Sequence, residues 1–174
     1  MLRNETVKIS LILFFSVIIA YPQVTFSNKS LIPTLYVQQN VTEYGLETKA
    51  KRLPAPVLDM DVSTAAYYEF PINKLVGDIY KKFELPLWNG HQGLGTPLAG
   101  QYSTRAFFPY QILENVSPYW LWDYFILFRL WIAGFFTFIF LRHIHLSFFA
   151  STCGALMYMF CGSLTQFISL EQFM

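Results

Sequence analysis

Three groups of residues in this chain are reactive or costly enough to do chemistry. Asp59 and Asp61 form a carboxylate pair around Met60, and Glu69 follows a short way downstream. A carboxylate held within hydrogen-bond reach of a hydroxyl can take its proton. Asp61 also stands before Val62-Ser63-Thr64 as a helix N-cap would, a place that Ser63 fits as well. A capping carboxylate is kept ionised by the helix dipole and is a weak base, so a cap is the plainer reading of Asp61. Arg105 is set among aromatics in Gln101-Tyr-Ser-Thr-Arg-Ala-Phe-Phe-Pro109. A cation there suits a lipid phosphate, and a solvent-facing arginine is the equal alternative.

Arg129 lies inside a long apolar run, about 9 Å beyond Asp123 along a helix. A charge at that depth must be paired or must snorkel to the headgroups. The two side chains point roughly 120° apart on a helix, so Asp123 is a poor partner. Arg129 therefore calls for an anion from another helix, a loop or a ligand, unless it snorkels. No Walker loop, HExxH, nucleophile elbow or cysteine metal pattern is present. Cys153 and Cys161 would sit about 12 Å apart along one helix, too far to bridge. They read as small buried residues rather than metal ligands; no cofactor is expected, and the sequence leaves a divalent-metal requirement open.

These groups must be positioned by elements suited to a membrane. Hydrophobic residues make up 54% of the 174, aromatics 19% and charged residues 13%, about half the charged share of soluble domains. A net charge of +1 gives no field to attract nucleic acid. The expected fold class is an all-α membrane protein with a large extracytoplasmic loop carrying a juxtamembrane amphipathic helix. Residues 1–28 read as a cytoplasmic N-terminus and a first transmembrane helix. The apolar core Ile9–Ala20 is short for a span and also suits a cleaved signal. Either way Arg3 and Lys8 stay cytoplasmic and residues 29–118 lie outside.

Within that loop Thr34–Val37 could be a short strand. Ile72, Leu75, Val76, Ile79 and Phe83 recur at helical spacing, which predicts an amphipathic helix over about 62–83 with Pro71 in a first turn or at a kink. The segment 85–109 is too rich in Gly and Pro for a helix or a central strand, yet it keeps Leu85, Leu87, Trp88, Leu94, Leu98, Phe107 and Phe108. It reads as a packed loop pressed against transmembrane helices. Residues 119–142 form a second span, entered through Tyr119, Trp120, Trp122 and Tyr124 and left through Arg142, His143 and His145. A cytoplasmic turn over 143–146 leads to a third span at 147–170, where Ala150, Gly154, Ala155 and Gly162 permit close helix packing. Residues 171–174 return outside.

The stretch from Asp61 to about Gln172 resembles the N-terminal part of the bacterial YfhO-type membrane proteins, within the GT-C class of membrane glycosyltransferases. The resemblance rests on Glu84-Leu-Pro-Leu-Trp-Asn89, Gly93-Leu-Gly-Thr-Pro-Leu98, and Ser103 followed by Phe107-Phe-Pro109. It continues through Leu130-Trp-Ile-Ala-Gly134, Leu141-Arg142, Gly154-Ala155 and Phe160-Cys-Gly-Ser163. It covers about two-thirds of the chain and favours an uncleaved first helix in a bacterial cytoplasmic membrane. It implies a polyprenyl-phosphate-linked sugar donor, used on the extracytoplasmic face, with a cell-envelope acceptor. Asp61 best matches the acidic residue of the first outer loop, with Asp59 and Glu69 behind it. Arg105, Arg129, His91 and Gln101 become substrate-binding candidates; the family pattern would place His at the Arg129 position. Family members have many more spans, so the expectation is an N-terminal fragment, inactive alone. The competing expectation is a non-catalytic membrane scaffold or transporter component.

Overall fold

The computed structural model describes residues 2–27, 29–31 and 68–168. Asp59, Asp61, Ser63, the strand expected at 34–37 and the helix start near 62 lie outside these residues. The described residues are predominantly helical and divide into two compact units. One comprises the residues up to Leu31 together with Asp123–Ile168; the other runs from Tyr68 to Trp122.

The first unit is built from α1 (Leu2–Ala20), α2 (Pro22–Phe26), α5 (Trp122–His143), α6 (Phe148–Met159) and α7 (Gly162–Gln166). Two helical stretches among the described residues are long and apolar enough to cross a membrane. They are Tyr119–His143, with mean hydropathy 2.0, and Phe148–Gln166, with 1.3. The N-terminal helix is not one of them, because Arg3, Glu5 and Lys8 fall within its first turns. Its nineteen residues amount to about 28 Å of helix, close to a bilayer core of roughly 30 Å, of which the apolar portion Ile9–Ala20 is the inner part.

α1 and α5 run in opposite directions. At one end Arg142 reaches Glu5 at 2.9 Å; at the other the Asp123 carboxylate accepts from the Leu31 N–H at 2.9 Å and the Ser30 hydroxyl at 3.0 Å. Between them the Trp131 indole donates to the Ser10 carbonyl, and Trp131 stacks between Phe128 and Phe135 with centroids 5.0 Å away on each side. α1, α5 and α6 meet at Gly134, where a Cβ would sit 3.0 Å from the Met159 sulfur and 3.5 Å from Leu13 Cδ1.

α5 closes with a Schellman motif. Leu146 N–H bonds to the Leu141 carbonyl, His145 N–H to that of Arg142, and His145 is left-handed at φ 66°. The Ser147 hydroxyl caps α6 by accepting from Ala150 N–H. The third span was expected to be continuous, but it breaks at Phe160–Cys161. Cys161 is extended, and its carbonyl then accepts from Leu164 and Thr165 to restart a short helix. Gly162 and Ser163, weak helix formers, occupy that restart. Of the small residues singled out for packing, Ala155 is buried and Gly154 abuts Leu141, whereas Gly162 has nothing near it.

The second unit holds α3 (Phe70–Lys81), a two-residue ladder of β1 (Trp88–Asn89) and β2 (Thr96–Pro97), a 3-10 turn (Tyr102–Thr104) and α4 (Pro109–Val116). Pro71 lies in the first turn of α3, where its missing N–H costs nothing. α3 packs on α4 at Gly77, whose α-carbon faces the Asn115 backbone, and Phe70 meets Tyr119 and Trp122 at 5.7 and 5.2 Å. The sequence reading did not anticipate α4. Its buried residues are Gln111, Glu114 and Asn115, while Leu113 is exposed, the reverse of the usual pattern. The strands are antiparallel, Trp88 opposite Pro97 and Asn89 opposite Thr96. Gly95 takes φ 99° and lies beneath the Trp88 indole, so a side chain there would meet both strain and a ring.

Candidate functional site

The candidate site grows out of the turn between β2 and α4. Leu98 is fully buried against Val76 of α3 and Ala106, a small apolar anchor for the loop. From it the backbone doubles back. Gln101 N–H bonds to the Leu98 carbonyl, and the buried Thr104 hydroxyl donates toward the carbonyls of Leu98 and Gln101 at 2.8 and 2.9 Å. Arg105 ends the 3-10 turn in the left-handed conformation, at φ 42°, and Phe108 N–H closes onto its carbonyl. Two further bonds tie this turn to α3 and the residues before it. The Tyr80 hydroxyl donates to the Ala106 carbonyl at 2.7 Å, and the Ser103 hydroxyl lies 3.5 Å from that of Tyr68. Burial pushes the Tyr80 phenol above its ordinary pKa, so it stays a donor through the neutral range.

The result is an open cavity of about 600 Å³ lined by Ala99, Gly100, Gln101, Arg105, Phe107 and Phe108 together with Ala106. Arg105 and Gln101, two of the four residues expected to bind substrate, line it together. Among the described residues nothing donates to the buried Gln101 Oε1, and an unsatisfied buried acceptor is worth about 1–3 kcal/mol to any donor that reaches it. The lining combines a guanidinium, which suits an anion, with an amide side chain and two aromatic rings that suit an apolar group.

The other expected residues lie elsewhere. His91 is exposed in the β1–β2 turn, its N–H donating to Asn89 Oδ1, and does not line the cavity. Arg129 is half-buried on α5, in the first unit. Glu69 is 2% exposed at the start of α3, next to the Tyr68 that meets Ser103. The base preferred from the sequence, Asp61, and its neighbour Asp59 lie outside the described residues.

Several features escaped the sequence reading. Asp123 was weighed only against Arg129, yet its carboxylate binds Ser30 and Leu31 across more than ninety residues. Asn73, Gln111, Glu114 and Asn115 are buried in the second unit, with Gln111 Nε2 donating to Asn115 Oδ1 at 2.9 Å. The polar positions of α4 at i, i+3 and i+4 carried that signal. A second cavity, of about 540 Å³, lies in the first unit beside Glu5, Arg142, His143 and His145. Cys153 and Cys161 are free thiols and only half-buried. Among the described residues no three His, Cys, Asp or Glu side chains are grouped to hold a metal. Comparison with family models, with curated proteins and with solved structures gives no match for the chain.

Proposed function

We propose that this chain supplies the acceptor-side loop and first helices of an integral membrane glycosyltransferase. The donor is a polyprenyl-phosphate-linked sugar, and transfer to a cell-envelope acceptor takes place on the outer face of a bacterial cytoplasmic membrane. The observation that carries the reading is the cavity pairing Arg105 with Gln101 beside Phe107 and Phe108. In this scheme the carboxylate of Asp61 takes the acceptor hydroxyl proton as the acceptor oxygen attacks the anomeric carbon. The bond from that carbon to the phosphate oxygen breaks, and the lipid phosphate leaves against the Arg105 guanidinium. Gln101 lines the same cavity beside the departing phosphate. Glu69 and Asp59 stand behind Asp61 as alternative bases.

The first unit supports the proposed orientation. Arg142, His143 and His145 gather at the end where α1 begins, and the chain enters and leaves the intervening loop at the opposite end, beside Asp123. A basic end belongs on the cytoplasmic side.

The test is sugar transfer from a labelled polyprenyl-phosphate donor in membranes of cells making the native gene product. Asp61→Asn should abolish transfer while the protein remains in the membrane. Arg105→Ala should weaken donor use about 10- to 150-fold, the equivalent of losing a charge-assisted hydrogen bond of about 1.5–3 kcal/mol. Wild-type transfer by both variants would remove the proposed chemistry and favour the scaffold reading.

A further inference from the structure

Around its apolar core of Val76, Leu98 and Ala106, the second unit has two segments whose polarity is reversed. In the β1–β2 hairpin Pro86 and Asn89 are buried, whereas Leu85, Leu87 and Trp88 each leave more than half their surface open. Leu94 at the hairpin tip is fully exposed. α4 repeats the inversion, with Gln111, Glu114 and Asn115 inside and Leu113 outside. Soluble surfaces do not gather large apolar side chains in this way unless something apolar covers them.

Phe83 carries the argument further. It occupies the left-handed position that ends α3, with Glu84 N–H bonded to the Ile79 carbonyl and Phe83 N–H to that of Tyr80. That is the position of a Schellman motif where glycine is the favoured residue. Here a phenylalanine accepts φ 62° and leaves its ring entirely exposed. A strained backbone that presents a bare aromatic ring points to a role for the ring outside the fold.

The choice of occupant follows from the surrounding residues. Among the described residues on the surface of the second unit, three exposed lysines (Lys74, Lys81 and Lys82) stand against two exposed acids, Asp78 and Glu84, while Glu69 and Glu114 are buried. Trp, Phe and Leu flanked by a surplus of Lys is the mixture that settles into an anionic lipid headgroup layer. The chain then passes through the exposed Tyr119 and Trp120 into a helix able to cross the bilayer. We infer that the hairpin tip and the end of α3 insert Phe83, Leu85, Leu87, Trp88 and Leu94 into the outer leaflet. The 600 Å³ cavity is thereby held at headgroup depth, where a lipid-carried phosphate resides. This rests on the outer-face placement in the proposed function.

Spin labels at Leu94→Cys and, as a control, Gln92→Cys test it. They are introduced into Cys153→Ser/Cys161→Ser protein reconstituted in phosphatidylethanolamine–phosphatidylglycerol vesicles. At position 94, collisions with oxygen should exceed those with a water-soluble nickel chelate, and the order should reverse at position 92. Phe83→Gly, which relieves the strained cap and so keeps the fold, should shift position 94 toward the nickel chelate. Equal nickel access at 94 and 92 would overturn the inference by placing the tip in water. Shielding from both reagents would overturn it by showing that protein, from this chain or a second copy, covers the tip. Water exposure at 94 with transfer still abolished by Asp61→Asn refutes insertion alone. An inserted tip with transfer indifferent to Asp61→Asn refutes the proposed catalysis alone.

Discussion

Replacing Gly77 with alanine sets two physical effects against each other and gives the sharpest reading of how the second unit is held together. Gly77 lies inside α3, where alanine is favoured by about 1 kcal/mol over glycine. If α3 were simply a surface helix, Gly77→Ala would therefore stabilise the protein. In the structure the new Cβ would stand 2.8 Å from the Asn115 carbonyl carbon and 3.5 Å from its Cα, and it would overlap the carbonyl oxygen. An ordinary contact needs about 3.5–4.0 Å between carbons, so α3 and α4 would have to separate by roughly 1 Å. The obstacle is backbone, which has no rotamer to retreat into. The cost therefore falls toward the upper end of the range of about 1–3 kcal/mol for overpacking. After the propensity gain the net loss is about 2 kcal/mol, or about 4–8 °C in Tm for a chain of this size. Thermal unfolding of the purified protein in detergent reads it directly. Gly90→Ala, where nothing lies within 4 Å, is the control and should change stability by less than about 0.5 kcal/mol. A Gly77→Ala variant more stable than the parent would refute the close crossing of α3 and α4.

Two further outcomes follow from the hydrogen bonds that hold the site and close the loop. Burial raises the Tyr80 pKa above its ordinary 10.0, so the fold favours the protonated phenol. That contribution is complete below about pH 10 and is lost as pH rises through the raised value; Tyr80→Phe should lose this alkaline dependence and cost about 1 kcal/mol at neutral pH. Unfolding midpoints from pH 7 to 11 check this, and identical alkaline declines in both proteins would contradict it. Asp123→Ala removes the acceptor shared by Leu31 N–H and the Ser30 hydroxyl and should cost about 1.5–3 kcal/mol. Asp123→Asn keeps one oxygen and should cost less, so equal Tm values for Asp123→Ala and the parent would dismiss the clasp.

The parts of this fold that were legible beforehand are those where one residue type dominates a long stretch. Continuous Leu, Phe and Ile from Tyr119 marked the long apolar helix α5, and the spacing of Ile72, Val76 and Ile79 with Pro71 in the first turn marked α3. α4 went unread because its inward face is polar, and amphipathic reasoning assigns Gln111 and Glu114 to solvent. The apolar residues of 85–109 were expected to pack down together, yet of those singled out only Leu98 is buried. Their count showed that the loop was unusual, whereas their direction depends on the strand register at Trp88 and Pro97. For the site, Arg105 was named from its aromatic neighbours and Gln101 with the family resemblance, and both line one cavity. The Asp123 clasp was invisible because its partners lie more than ninety residues away and carry no motif.

The central claim is that the residues between Leu31 and Asp123 face the outside of the cell while the α5–α6 turn faces the inside. Single cysteines at Gln92 and at His145, in Cys153→Ser/Cys161→Ser protein and treated with a membrane-impermeant maleimide, test it most directly. The account predicts that position 92 reacts in intact cells and that position 145 reacts only after the cells are broken open. Labelling at 145 in intact cells with 92 protected until lysis would contradict it.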